Sequence, residues 1–366
     1  MAADLPCGTR NYDYARDMAI VRTKTQWTLL ILFLALLFTA PLHSGSYWLG
    51  VINLIGITLV AAIGLNILTG YCGQLSIGHA GFMAVGAYTT AILMSKLEMP
   101  FLAAMICSGL SAGCIGMIFG IPSVRIKGFY LAITTIAAQF IIIWVINHWT
   151  GLTGGFNGIN VPRDSVLDSI QSVLYPLFQL LNIRYMDEIN HFYLIITITA
   201  LCVLVSKNLT RGKVGRAFIA IRDNDLAAEV MGINILHYKL LAFFIGCFFA
   251  GVAGSMFAHW VGHLNAENFT IPDSILYVGM IIIGGLGTTI GPILGVVIIR
   301  LLQQGVLFLS PVLDKILPML PTGFTSGIGP MVFGLVIILF LILEPRGLAH
   351  RWSLLKASYR LWPFSH

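Results

Sequence analysis

Apolar residues along this chain come in long, nearly uninterrupted runs, with neither the strict alternation of strands nor a heptad seam. The runs lie near 27–42, 48–69, 79–95, 101–121, 129–149, 192–206, 238–258, 274–287, 292–310 and 328–344. About 20 apolar residues cross a bilayer as a helix, and fewer suffice where a segment is re-entrant or enclosed in a bundle. The pattern therefore predicts an all-α polytopic membrane protein. The eighth run is short, and only the break Gly284-Gly285-Leu286-Gly287-Thr288-Thr289-Ile290-Gly291-Pro292 parts it from the ninth. Merging the two gives nine spans instead of ten. Composition agrees with the class: of 366 residues 57% are hydrophobic and 10% charged, against about 25% charged in soluble domains. No polar block is long enough to fold separately.

Charge placement chooses between the two counts. Basic residues gather before the first run (Arg10, Arg16, Arg22, Lys24) and between the fourth and fifth (Arg125, Lys127). They gather again between the sixth and seventh (Lys207, Arg211, Lys213, Arg216, Arg222, Lys239) and after the last (Arg346, Arg351, Lys356, Arg360). Positive residues are retained on the cytoplasmic side during insertion, and only ten crossings put all four groups there. The expected organisation is a cytoplasmic segment 1–26, a membrane domain 27–345 and a cytoplasmic tail 346–366. A cytoplasmic loop 207–237 and a long polar loop 150–191 on the opposite face belong to the middle unit. Thr28 to Leu42 is read as a retained first span, because both charge signs precede it, unlike the start of a signal peptide.

The opposite face is net acidic, which is either a by-product of insertion or a docking surface for an external protein. Arg300 falls inside the ninth run, where it either snorkels or faces a polar cavity. The net charge of +6 is dispersed between apolar runs, so no nucleic-acid partner is expected; the lipid bilayer is.

Catalytic signals are sparse. The six cysteines contain no CxxC pair. His259-x-x-x-His263 puts two imidazoles on one helical face but lacks the Glu of HExxH and a third ligand. No Ser/His/Asp or paired-carboxylate spacing is present. No catalytic residue, metal or cofactor is expected. The rival classes are a membrane-embedded enzyme and a stand-alone secondary transporter, which usually wants acids within its spans; Glu344 is the obvious one.

Thirty-eight glycines imply close helix contacts and broken helices. Gly109, Gly113, Gly116 and Gly120 form one stripe, and Gly246, Ala250 and Gly254 another; helix packing accounts for both. Three clusters instead fall where runs begin or break: 70–82, 153–159 and 284–292. Irregular backbone at membrane depth survives where it is buried in protein or lines a wet cavity, and half-helix N-termini there can hold an anionic group. Either these are tight turns or they line a path. On the second reading the path residues are Gly73, Gln74, Ser76, Gly78, His79, Gly155, Asn157, Gly285, Gly287 and Thr288. At His79 a buried, hydrogen-bonded imidazole is expected rather than a proton relay. Spans two to five and seven to ten also share a hydropathy pattern suggestive of an inverted repeat, without residue-level identity.

The densest basic loop contains Ala220-Ile221-Arg222-Asp223-Asn224-Asp225-Leu226-Ala227-Ala228-Glu229-Val230-Met231-Gly232. Asp223 or Asn224 can cap a helix there, Asp225 and Glu229 complement its dipole, and Gly232 can end it. A helix of about two turns results, with Leu226, Ala227, Val230 and Met231 on one face. It either lies flat on the membrane surface or docks into another protein's groove.

Ala227-Ala228-x-x-x-Gly232 in such a loop resembles the EAA loop of ABC importer permeases, the coupling helix that seats in the ATPase subunit. With Ala220 to Lys239, Gly70 to Tyr88, Thr153 to Ile159 and Gly284 to Gly295, residues 48–345 are similar to permease subunits of branched-chain amino-acid (LIV-type) importers. Leu226 stands where the general pattern has Glu, and no proline follows near residue 245. The resemblance implies a bacterial inner-membrane permease with both termini cytoplasmic. Its partners would be a second, different permease subunit, two ATP-binding subunits and a periplasmic solute-binding protein. Arg222, Asn224, Ala227, Ala228, Glu229 and Gly232 would form the coupling element. Branched-chain amino acids lead as cargo, with urea, short amides or other small carboxylates as alternatives in the same class. No GxxxxGK[ST] loop occurs, so ATP would be hydrolysed by separate subunits.

Overall fold

A computed structural model describes residues 24–124, 128–162, 167, 168, 170, 172, 187–316, 324–344 and 346–361. Several sequence expectations fall outside them: Arg10, Arg16, Arg22, Arg125, Lys127 and most of the 163–186 stretch. The described chain is almost wholly helical. Its helices are α1 (Lys24–His43), α2 (Ser46–Leu65), α3 (His79–Leu97), α4 (Phe101–Gly120), α5 (Phe129–His148), α6 (Asp187–Arg211) and α7 (Lys213–Asp223). They continue as α8 (Asp225–Val230), α9 (Ile235–Val261), α10 (Ile271–Gly284), α11 (Gly291–Ile316), α12 (Phe324–Leu343) and α13 (Leu348–Leu361). The two short strands β1 (Ile159–Asn160) and β2 (His263–Leu264) pair antiparallel.

Eight helices among the described residues are long and apolar enough to cross a membrane. The bent pair Gly329–Leu343 and Leu348–Ser358, 47° apart, makes a ninth if it is one span, and the apolar helix Trp27–Pro41 is shorter. The 284–291 break does separate two helices. Ala266–Gly284 and Gly291–Phe308 each have a spanning length, because the turn before Ile271 extends α10.

At the hub stands α9, packed on α4, α3 and α2. Small residues bring these backbones close. A Cβ on Gly109 would lie 2.7 Å from the Phe248 ring, and one on Gly113 2.8 Å from Phe244. One on Gly86 would run into the Gly251 backbone, and one on Gly64 would meet the Gly246 carbonyl at 2.5 Å. In lipid no hydrophobic force draws helices together, so van der Waals fit of this kind holds the bundle. The long helix Ser46–Tyr71 is 83% buried along its apolar window, whereas α4 and α5 are 39% buried. Hence α2 and α9 form the interior, and α4 and α5 turn a face to lipid.

The helix ends define two faces. One carries the β1–β2 pair and the 149–158 turn, where Lys96 Nζ donates to the Gly151 carbonyl at 2.7 Å. The other carries the 70–78 break, α7, α8, the 284–291 break and the start of α13.

Candidate translocation and coupling site

The second of these faces is where three of the sequence's unusual segments meet. Following α2, the chain widens into a π-helical turn, Asn66–Tyr71. Cys72 N then donates to Ile67 O at 3.2 Å and Gln74 N to Leu68 O at 3.0 Å, looser closures than an α-helix makes. The Gly70 carbonyl is left for a partner outside the helix. That partner is Arg222 at the end of α7, whose Nη1 donates to Gly70 O at 3.0 Å. Nε and Nη2 of the same guanidinium donate to Asp223 Oδ1 at 3.0 and 2.9 Å.

Asn66 ties the first break to the second. Its Nδ2 donates to Thr288 O at 2.8 Å, and its Oδ1 accepts from Gly287 N at 3.0 Å. Gly287, at φ 68°, closes the arrangement: a Cβ there would lie 2.7 Å from Arg222 Nη1 and 2.8 Å from Gly70 O. Only glycine lets the 70s turn, the 287 turn and the arginine share one place. Thr288 Oγ1 meanwhile donates to Gly285 O at 2.9 Å and accepts from Gly291 N at 3.0 Å, capping α11. Gly285 packs against the start of α13 and the turn before it, with a Cβ position 3.2 Å from Ala349 and 3.3 Å from Arg346 O.

Over this junction sits the small helix. Asn224 is its cap, with Oδ1 accepting from Ala227 N at 3.1 Å. Gly232, at φ 85°, ends it, and Ile233 N reaches back to Ala228 O at 3.0 Å. At six residues it has the expected length of about two turns. Ala228 is buried against the bundle, while Leu226, Val230 and Met231 are 68%, 87% and 82% exposed. A knob with its apolar side outward is the result. Asp225 Oδ2 lies 3.9 Å from Lys239 Nζ, a lysine buried at the start of α9. A cavity of about 330 Å³ lies between knob and break, lined by Cys72, Gly73, Gln74, Arg222, Asp225 and Lys239 among others.

The remaining path residues fall elsewhere. Ser76, Gly78 and His79 are buried where α3 begins. Thr135 Oγ1 of α5 accepts from Ile77 N at 3.0 Å, and Ser274 Oγ of α10 accepts from Ala80 N at 2.9 Å. Ser274 in turn donates to Gln139 Oε1 at 2.8 Å. These side chains occupy the helix-start donors that the sequence offered to an anion. His79 Nε2 pairs with the Ala61 carbonyl at 3.0 Å. Gly155 and Asn157 lie at the other end of the bundle, in a 3₁₀ turn next to the β pair. The structure thus joins Gly73 and Gln74 with Gly285, Gly287 and Thr288, and leaves 155–157 apart.

His259 stacks on Phe101 with ring centroids 4.2 Å apart, whereas His263 Nδ1 pairs with Asn160 Oδ1 at 2.7 Å. Glu344 pairs with Arg351 across the α12–α13 turn. Sequence reading did not single out Asn66, Gln139 or Ser274. The available signal was a polar side chain within an apolar run, which does not say what it faces.

Comparison with known proteins agrees with this architecture. The family described as the branched-chain amino acid transport system permease component matches residues 47–342. The high-affinity branched-chain amino acid transport system permease protein LivM of Escherichia coli K12 is 30% identical over 287 residues, covering 76% of this chain and 68% of that protein. A probable branched-chain amino acid transport permease protein LivM of Methanocaldococcus jannaschii is 22% identical over 331 residues, covering 80% of this chain and 90% of its own length. The probable ABC transporter permease protein YphD of Escherichia coli K12 is 30% identical over 122 residues, 32% of this chain and 36% of that one. No solved structure matches the chain significantly. A helical bundle whose broken spans meet under a capped knob, matched over most of its length by permeases, belongs to the family of branched-chain amino acid transport system permease components, and is a membrane transport subunit rather than an enzyme.

Proposed function

We propose that this chain forms half of the translocation path of an ATP-driven importer for branched-chain or similar small amino acids. In this reading it sits in a bacterial inner membrane with both termini cytoplasmic, the membrane domain spanning 27–345. It pairs with a second permease subunit, two ATP-binding subunits and a periplasmic solute-binding protein. The knob at 225–230 seats in an ATP-binding subunit through Leu226, Val230 and Met231. The face bearing the 149–158 turn receives the binding protein.

The observation that carries the reading is the Arg222 contact. Arg222 precedes the knob, holds Gly70 O, and lies against Gly287. A displacement of the knob therefore pulls on both broken spans at once, and Asn66 obliges the two breaks to move together. ATP-driven closure of the partner subunits supplies that displacement, and the bundle reopens toward the other side. Discrete rearrangement of packed elements, rather than continuous bending, is what such bundles permit.

Affinity purification of the tagged chain from its native membrane tests the proposal. An ATP-binding chain and a second permease are expected to co-purify, and the co-purified solute-binding protein is expected to bind leucine, isoleucine or valine. Recovery without any ATP-binding chain would refute the importer reading. Preference for urea or a short amide would keep the importer and replace its cargo.

A further inference from the structure

Arg300 lies in α11 and points into the interior, where the opposing charge that acts on it, Asp273, stands across a cavity and not in contact. Its Nε and Nη2 donate to Thr58 Oγ1 at 3.1 and 2.7 Å, and its Nη1 donates to Gln303 Oε1 at 2.9 Å. A guanidinium has five N–H donors in a rigid fork, so one hydrogen on each terminal nitrogen has no acceptor among the described residues. Nor does any described carboxylate lie within 4.0 Å of it. Thr58 is about 18 Å along α2 from Ser46 by helical rise, well inside the bilayer. A cation held there with its opposing charge out of contact is costly, and its free hydrogens call for an anionic group.

The space in front of it is a cavity of about 390 Å³, within the range of small-ligand sites. Thr58, Glu267, Asn268, Asp273, Tyr277 and Arg300 supply its polar lining. Asp273 spends Oδ2 on capping α10, where it accepts from Thr270 N and Oγ1 at 3.0 and 2.6 Å. Its other oxygen has no hydrogen-bond donor among the described residues. Leu54, Ile57 and Met83 line the same cavity with apolar surface. A second recess, which includes Tyr47 and Gln304, shares Leu54 and Val261 with it and leads toward the end of α2 that carries Ser46.

We infer that this cavity is a zwitterion site on the translocation path, taking an aliphatic α-amino acid with its carboxylate on Arg300, its ammonium toward Asp273 and its side chain on the Leu54–Ile57–Met83 wall. A guanidinium separated from the carboxylates of Asp273 and Glu267, beside an apolar wall, matches that class rather than a neutral amide. The free hydrogens on the two terminal nitrogens are charged donors from which a carboxylate can accept. This inference rests on the importer reading and adds to it a contact within the membrane.

The test is uptake of labelled L-leucine by cells carrying the complete importer, with variant levels in the membrane matched by immunoblot. Arg300→Gln is expected to lower uptake by about tenfold or more, the loss typical of a hydrogen bond to a charged group. Arg300→Lys, which keeps the charge but not the fork, is expected to fall between. Asp273→Asn, which keeps an acceptor for the Thr270 cap, is expected to lower uptake too. Thr58→Val removes only the acceptor that steadies Arg300 and is expected to cost less than Arg300→Gln. If Arg300→Gln does not reach the membrane, Arg300→Lys and Asp273→Asn decide. Wild-type uptake in those variants, or equal losses in Thr58→Val and Arg300→Gln, would overturn the site while leaving the importer intact. A wild-type complex that takes up no aliphatic amino acid would refute the importer's cargo, and the site with it.

Discussion

Replacing Asn66 by leucine removes the clamp between the two broken spans while nearly conserving volume. Asn66 is 2% exposed and makes two bonds, to Thr288 O and from Gly287 N. A buried partner left unsatisfied costs about 1–3 kcal/mol. Gly287 is only half-buried and Thr288 is exposed, so each lost bond belongs at the low end, about 1 kcal/mol. The sum, about 2 kcal/mol, shifts the closed-to-open ratio of the junction by about thirtyfold. Hydrogen exchange read by mass spectrometry reports this directly, since the Gly287 amide is protected by Asn66 itself. Exchange across 285–291 is expected to accelerate about thirtyfold in Asn66→Leu, with α3 and α9 amides unchanged. Uptake is expected to fall with it. Unchanged exchange at Gly287 in an inserted variant would refute the clamp and the claim that the breaks move as one.

Four further substitutions probe other parts of the account. Gly232→Pro imposes φ near −65° where the chain is at 85°, and Ala228→Arg forces a charge into a buried contact of the knob. Both are expected to abolish uptake with membrane insertion preserved, and normal uptake in either would mean that 225–230 does not couple. Gly86→Leu drives a side chain into the Gly251 backbone, whereas Gly45→Ala meets nothing within 4 Å. The first is expected to lose most of its monodisperse yield in detergent size-exclusion chromatography and the second none of it; equal yields would show that α3 and α9 are not held by close approach.

What the sequence made legible was whatever periodicity and punctuation encode. Apolar runs of spanning length read as helices, the 284–292 glycines read as a break, and Gly232 read as the end of a small helix with Asn224 as one of its two possible caps. Contacts between distant residues were not legible. Asn66 and Thr288 are 222 positions apart, and nothing in either segment names the other. At His79 the expected buried, hydrogen-bonded imidazole is what the fold holds, but its partner, the Ala61 carbonyl, was not legible, nor was what encloses the helix start beside it. Thr135, Ser274 and Gln139, drawn from two other helices, close that place. Arg300 was legible as an anomaly, because an arginine inside an apolar run must be answered by something. What answers it, Thr58 on α2 and Gln303 one turn along, needed the fold. The 155–157 glycine turn looks like the other breaks in sequence, yet it lies at the far end of the bundle, since spacing says nothing of which face a turn reaches.

The central claim is that energy entering at the knob reaches both broken spans through Arg222. Arg222→Ala tests it most directly. The variant leaves the knob's outward face and its cap untouched and deletes the bond to Gly70 O. In proteoliposomes holding the complete importer, ATP hydrolysis and leucine uptake are measured together. The account expects hydrolysis to continue while leucine moved per ATP falls by about tenfold, the cost of one hydrogen bond to a charged group. An unchanged ratio of leucine to ATP would contradict it.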